Sequence, residues 1–143
     1  MKYRRGIFFV VYRKEKKKIR YLVLKRKLHW IGWEFPKAGV ESKESDAKAI
    51  KRELKEEAGC KVKEILKFNK RGRFRYKKDI PERKQFVGQS WKLFAVEVDC
   101  KKIKVDKKEH SGYKWLSYSE AKKILTWPNQ KKCLEMVNQK LKI

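Results

Sequence analysis

A chain of 143 residues with 41% hydrophobic residues can bury one core, and its 42 Lys and Arg against 17 Asp and Glu give it a formal charge of +25. A single domain over residues 1–143 is therefore expected, attracted to polyanions and carrying no membrane span, since the apolar run Ile7-Phe8-Phe9-Val10-Val11 is too short for a bilayer or a secretory leader. Three cysteines, Cys60, Cys100 and Cys133, are odd in number and widely spaced with no C-x-x-C pair, so neither a disulfide framework nor a zinc site is expected and the location is read as cytoplasmic.

In chain order, Gly6 to Tyr12 and Arg20 to Arg26 are β-rich runs joined by the charged turn Arg13 to Lys18, which predicts a hairpin. A loop with Trp30, Trp33 and Pro36 follows. A helix is predicted to start at Ser45 or Asp46, either of which suits an N-cap, and to end at Gly59 as a C′ residue. Its apolar stripe is Ala47, Ile50, Leu54 and Ala58, at spacings of three and four. Val62 to Tyr76 reads as a long strand, 77–84 as a loop with Asp79 and Pro81, Phe86 to Val98 as a strand and Tyr113 to Leu116 as a short one. A helix over Ser119 to Thr126 and a final helix opened by Pro128, with Cys133, Leu134, Val137 and Leu141 inward, complete an α+β alternation.

The stretch from Arg52 to Cys60 reverses the sign of this basic chain. Glu53, Glu56 and Glu57 fall within one helical arc of roughly 100°, at the edge of the apolar stripe. Carboxylates so close repel one another unless a cation joins them, and oxygen-only ligands suit Mg²⁺ or Mn²⁺. An isolated E-x-x-E-E run is more often a solvated helix face. The surroundings weigh against that reading. Glu44, Arg52, Glu53, Leu54, Glu56, Glu57 and Gly59 stand at the spacing of a known signature: Gly, five residues, Glu, seven residues, Arg-Glu, an aliphatic, any residue, Glu-Glu, any residue, Gly, an aliphatic. The pattern resembles the box of the Nudix hydrolases. Two positions depart from it, with Ala38 in place of the opening Gly, Gly39 one step later, and Cys60 in place of the closing aliphatic.

The resemblance implies an α/β/α sandwich with a central mixed sheet, the box forming a catalytic loop-helix-loop, and hydrolysis of a phosphoanhydride in a nucleoside diphosphate-linked compound. It implies Glu53, Glu56, Glu57 and the Ala38 carbonyl as ligands of Mg²⁺ or Mn²⁺, with Arg52 orienting a carboxylate and Glu44 supporting the loop or a water. Within the family, Glu109-His110-x-x-Tyr113-Lys114-Trp115 and Phe35-Pro36-Lys37 are similar to the asymmetric diadenosine tetraphosphate hydrolases, which release ATP and AMP. By that resemblance Glu109 joins the catalytic set, and the general base is Glu109, Glu53 or Glu56. Lys37 and His110 are assigned to substrate contact, and Tyr76, after a basic run, to stacking on a purine. Trp30, Trp33 and Trp91 are read as core fillers.

Two further readings come from the same residues. Trp33-Glu34-Phe35-Pro36 and Gly88-Gln89-Ser90-Trp91 look like the RNA 5′-pyrophosphohydrolase branch. The runs Lys14 to Lys18 and Lys70 to Arg75, with Phe74 and Tyr76 interleaved, would give such an enzyme a basic rim. A catalytically silent RNA-binding module of the same fold is the non-enzymatic alternative, opposed by the retained carboxylates. The expected partners are thus a nucleotide or dinucleoside polyphosphate, or RNA, for a monomeric protein, while lysine spread through every segment leaves the charge open to a purely compositional origin.

Overall fold

A computed structural model describes residues 2–142 apart from 42, 78–80, 82, 83 and 101, and the backbone alone of Glu57. Seven strands and three helices follow the order β1 (Lys2–Glu15), β2 (Lys18–Arg26), β3 (Gly32–Glu34), β4 (Lys37–Gly39), α1 (Asp46–Ala58), β5 (Cys60–Arg75), β6 (Phe86–Cys100), β7 (His110–Leu116), α2 (Tyr118–Ile124) and α3 (Pro128–Leu141). The sheet runs β3-β2-β1-β6-β5, with β4 also on β1 and β7 also on β2. Only β1 and β6 pair in parallel among these ladders, so the sheet is mixed, as the resemblance implied.

Strand alternation splits the core into two layers. Ile7, Phe9 and Val11 of β1 and Phe94, Val96 and Val98 of β6 face α1, which buries Ala49, Ile50, Leu54 and Ala58 against them. Phe8, Val10 and Tyr12 point the other way with Leu93 and Ala95, onto Ala121 of α2 and Cys133, Leu134 and Val137 of α3. Each fully buried Leu or Ile in such a layer contributes about 1.5–3 kcal/mol, so the two helix layers hold the sheet more firmly than helix propensity would. The Tyr21 hydroxyl donates to Asn138 Oδ1 at 2.7 Å, tying α3 to β2. Burial also pushes the pKa of Tyr12 up to about 12 and that of the Cys133 thiol up to about 11.

The helices match the sequence signals closely. Ser45 caps α1 by accepting from the Lys48 amide at 3.2 Å, and Gly59 ends it in the left-handed region at φ 62°. Ala47 is exposed and Ala49 takes its place in the apolar stripe. Ser117 and Glu120 form a reciprocal capping box, which starts α2 one residue before the expected Ser119 and lets it end at Ile124. Leu141 is partly buried at the end of α3, where the buried set is Gln130, Cys133, Leu134 and Val137.

Three expectations are corrected. The loop around Trp33 and Pro36 contains two short strands, β3 and β4, too brief for any periodicity to reveal. The hairpin strands are longer than predicted, because β1 extends to Lys2 by pairing with β6 through charged residues. Cys60 and Cys100 form a disulfide, with Cα atoms 4.4 Å apart, where no disulfide was expected; they are cross-strand partners in the β5–β6 ladder, a proximity that 40 residues of separation conceal. Cys133 is free and buried. The expected loop at 77–84, including Asp79, lies mostly outside the described residues. Among them, no helix is long and apolar enough to cross a membrane.

Candidate active site

The segment between β4 and α1 is held by one guanidinium. Arg52 Nε donates to Glu44 Oε2 at 2.8 Å and Arg52 Nη2 to Glu44 Oε1 at 3.0 Å, a two-pronged pair, while Nη2 also donates to the Gly39 carbonyl at 2.9 Å. Glu44 Oε1 accepts in addition from the Glu41 amide at 3.1 Å. Strand, loop and helix are thereby locked at one point. Hydrogen bonding from Arg52 and from the Glu41 backbone brings the Glu44 pKa down to about 2, and the pairing with Glu44 raises that of Arg52. Of the two alternatives for Glu44, the loop-supporting one is what these contacts describe. Arg52 Nη1 then stands 3.4 Å from Glu53 Oε2 and 3.9 Å from Glu56 Oε2, as an orienting residue would.

Beside this clamp opens a cleft of about 140 Å³, whose walls include Arg4, Lys37, Ala38, Glu53, Gln89 and Glu109. Glu53 comes from α1 and Glu109 from the segment before β7, so residues 56 apart in sequence meet at one cavity. The Glu109 carbonyl accepts from the amides of Lys27 at 2.9 Å and Leu28 at 3.3 Å, which fastens that segment to the end of β2. Ala38 sits in β4 outside the left-handed region, so the missing Gly needs no special backbone conformation there. At Gly39, one step later, the tip of the Arg4 side chain occupies the place of a Cβ, a flexible group that can shift, so this contact does not by itself require glycine.

Behind the cleft lies a buried ionic cluster. Glu34, 1% exposed, accepts from Arg26 Nη1 at 3.3 Å and meets His110 Nε2 at 2.8 Å on the same oxygen, and its Oε1 faces Lys37 Nζ at 3.5 Å. Burial favours the neutral acid, yet Lys37, the His110 hydrogen bond and Arg26 together bring the Glu34 pKa below its ordinary value. Arg26 Nη1 also stands 3.8 Å from Glu109 Oε2, so the cluster reaches the cleft wall.

The expected site residues are thus distributed unequally. Arg52, Glu53, Ala38, Lys37 and Glu109 share the cleft. Glu56 lies one turn along α1 with its side chain 65% exposed, and the side chain of Glu57 lies outside the described residues. His110 is 3% exposed and turned onto Glu34, behind the cleft wall. Tyr76 is not among the cleft residues; it packs edge-to-face on Phe74 with centroids 6.1 Å apart. Arg4 and Arg26 escaped the sequence reading, and Glu34 and Gln89 entered it only within branch-like runs, without a site role. Arg26 was detectable, since it follows Leu22 and Leu24 at the inward alternation of β2 and needs a buried counter-charge.

The donor chemistry fits a hard divalent cation: carboxylates of Glu53 and Glu56 on one helix side, the carbonyl-bearing β4 beside them, and Glu109 across the cleft. Among the described residues no three carboxylate, His or Cys groups already stand close enough to hold an ion.

With this geometry in hand, likeness to known proteins is informative. The NUDIX domain model matches residues 2–137. An RNA pyrophosphohydrolase of Nitratiruptor sp. is 32% identical over 127 residues, spanning 83% of this chain and 82% of that protein. Among solved structures, the Ap4A hydrolase binary complex from C. elegans aligns with a TM-score of 0.75 at 23% identity, over 96% of this chain and 97% of that one. The dihydroneopterin triphosphate pyrophosphohydrolase of E. coli aligns with a TM-score of 0.71 at 21% identity, over 95% and 97%. At those identities the structural likeness speaks for the fold. The chain belongs to the Nudix family and is a pyrophosphohydrolase.

Proposed function

We propose that this enzyme removes pyrophosphate from the triphosphorylated 5′ end of RNA by hydrolysing the α–β phosphoanhydride bond. The observation that carries this reading is the 32% identity, across more than four-fifths of both chains, to a protein named RNA pyrophosphohydrolase. The cationic wall of the cleft, with Arg4 and Lys37, supports it by matching a substrate of several negative charges.

Glu53, Glu56, Glu57 and the Ala38 carbonyl would hold Mg²⁺ or Mn²⁺, with Glu109 facing them. Such an ion, when bound, neutralises phosphate oxygens and lowers the pKa of water. Arg52, fixed by Glu44, sets the position of the Glu53 carboxylate and keeps β4 at the cleft. Arg4 and Lys37 bind and orient the phosphate chain. Glu109 accepts the proton of the attacking water at its carboxylate, with Glu53 the competing base. The water oxygen bonds to phosphorus as the anhydride bond breaks, leaving monophosphorylated RNA and pyrophosphate. Arg26, His110 and Glu34 act behind the wall by holding Lys37 and Glu109 in place.

Hydrolysis of dinucleoside polyphosphates is the second reading, favoured by Phe35-Pro36-Lys37 and by the Glu109 to Trp115 pattern. The two separate in one competition. With Mg²⁺ present, a higher kcat/KM for pyrophosphate release from 5′-triphosphorylated RNA supports the first, and a higher kcat/KM for ATP plus AMP from diadenosine tetraphosphate replaces it with the second. Glu57→Gln is expected to lower kcat by about 10²–10³ on either substrate, the scale of losing one charge-stabilising group; unchanged turnover would remove Glu57 from the site.

A further inference from the structure

The two basic runs singled out in the sequence do not make one rim. Lys14 to Lys18 lies at the β1–β2 hairpin, whereas Arg71 to Arg75 pairs with β6 beside the opposite end of β1. Nor do the aromatics interleave with the arginines on one face. Phe74 is the cross-strand partner of Gln89, itself the partner of Arg4, while Arg73 is the partner of Ser90 and so of Arg5. Alternation therefore puts Arg71, Arg73 and Arg75 on the α1 side and Phe74 on the other.

On the α1 side those arginines join a grid. Its rungs are Arg71–Lys92–Ile7, Arg73–Ser90–Arg5 and Arg75–Gly88–Tyr3. At two strand spacings across and four residues along, five cations occupy a face of about 10 by 14 Å. Arg71, Arg73, Arg75 and Arg5 are exposed, and the Arg73 guanidinium lies 4.9 Å from the Tyr3 ring centroid. Asp46, in the first turn of α1, is the carboxylate recorded in this grid, 4.0 Å from Arg5 and 3.6 Å from Lys92. Among the described residues, the arginines of this face stay exposed beyond the start of α1. Asp46 and Glu53 are seven residues apart on α1, about 10 Å along its axis, so the grid starts near the α1 wall of the cleft. Arg4 and Gln89 of the cleft lie on the opposite face of the sheet, and an RNA chain would reach the grid by rounding the end of the sheet.

From this we infer a second binding surface, on the α1-side face of β1, β6 and β5, that holds the phosphate backbone of single-stranded RNA downstream of the 5′ end seated in the cleft. Charge complementarity selects the partner: exposed guanidiniums repeat at alternate residues of one strand, about 6.8 Å apart, and an aromatic ring stands among them. The small residue Ser90 keeps the middle rung of the grid low between Arg73 and Arg5, whereas Gly88 is buried beneath the β5 backbone. The inference rests on the RNA reading above for what the cleft does, and the test separates the two.

The probe is a fluorescent 12-nucleotide RNA with a 5′-hydroxyl, which has no phosphoanhydride and is bound or not irrespective of turnover. The wild-type protein is expected to bind it with an affinity that falls steeply with salt. R71Q/R73Q/R75Q is expected to weaken binding at least tenfold and flatten the slope of log affinity against log salt by about 2, at 0.7 per lost phosphate contact. R71K/R73K/R75K, which keeps the charge, should retain most of the affinity and guards against misfolding of the neutral variant. K16N/K17Q/K18Q, with Asn at the positive-φ position 16, removes equal charge about 34 Å from the middle of the grid along β1 and should bind like wild type. Salt-independent binding, wild-type affinity in the neutral β5 variant, or equal loss in the hairpin variant would each overturn the surface. If the binding results hold while pyrophosphate release from triphosphorylated RNA is absent, the surface stands and the substrate reading falls.

Discussion

Glu34 with Arg26 and Glu44 with Arg52 are the same chemical pair in two settings. The first is enclosed, with side chains 1% and 4% exposed, and recruits His110 and Lys37. The second lies at the rim, 13% and 27% exposed, and achieves two-pronged geometry with one backbone carbonyl in addition. Enclosure makes the first pair expensive to break and indifferent to solvent, because a stranded charge there has no water to turn to. Partial exposure makes the second cheap in stability but demanding in geometry, since its value lies in where it holds Glu53 and β4.

The sharpest way to break the comparison is at Glu34. Glu34→Ala leaves Arg26 buried without its principal counter-charge and is expected to cost about 3–5 kcal/mol in urea unfolding; a loss below 1 kcal/mol would show the cluster to be less enclosed than described. At the rim, Arg52→Lys keeps the charge and loses the fork. It should lower kcat by roughly 10–100-fold, as displaced catalytic groups do, while changing unfolding free energy by less than about 1 kcal/mol. Equal effects of the two variants on stability and turnover would erase the distinction.

The smallest effect is a matter of pH. Glu44 has its folded pKa lowered to about 2, so its contribution to stability is complete above the unfolded carboxylate value and disappears as pH falls through about 2. Thermal melts from pH 6 to pH 2 should therefore show a steeper decline for the wild type than for Glu44→Gln, with the curves approaching each other at the acid end. Parallel curves would mean that the clamp is not maintained in solution.

Much of the fold was legible because local chemistry and packing agree: Ser45 and Gly59 bracket α1 and Pro128 opens α3, while α2 was expected from Ser119 and its Ser117–Glu120 box went unread. Arg52 and Glu53 stand at the cleft, and they drew notice in the sequence because spacing along one helix is a short-range pattern. Arg4 and Gln89 as site residues, and the disulfide, were not legible, since each is brought into place by pairing between strands far apart in sequence, which leaves no short-range trace. Ala38 illustrates the intermediate case. The sequence marked the missing Gly, and only the backbone shows that Ala38 meets no conformational demand for one.

The bond between Cys60 and Cys100 also sets a reading frame. It joins the first directly opposed residues of the β5–β6 ladder, and two register irregularities follow, between Val62 and Glu64 and between Lys67 and Arg71. A slip by one residue anywhere along such a pair exchanges the two faces of everything beyond it. With one end of the ladder covalently in phase, the irregularities decide which way the far end of β5 points, and it is there that arginines alternate with Gly72 and Phe74. A chemical link at the foot of α1 thus helps to determine, some ten residues further on, whether the protein shows charge or aromatic rings to what approaches it.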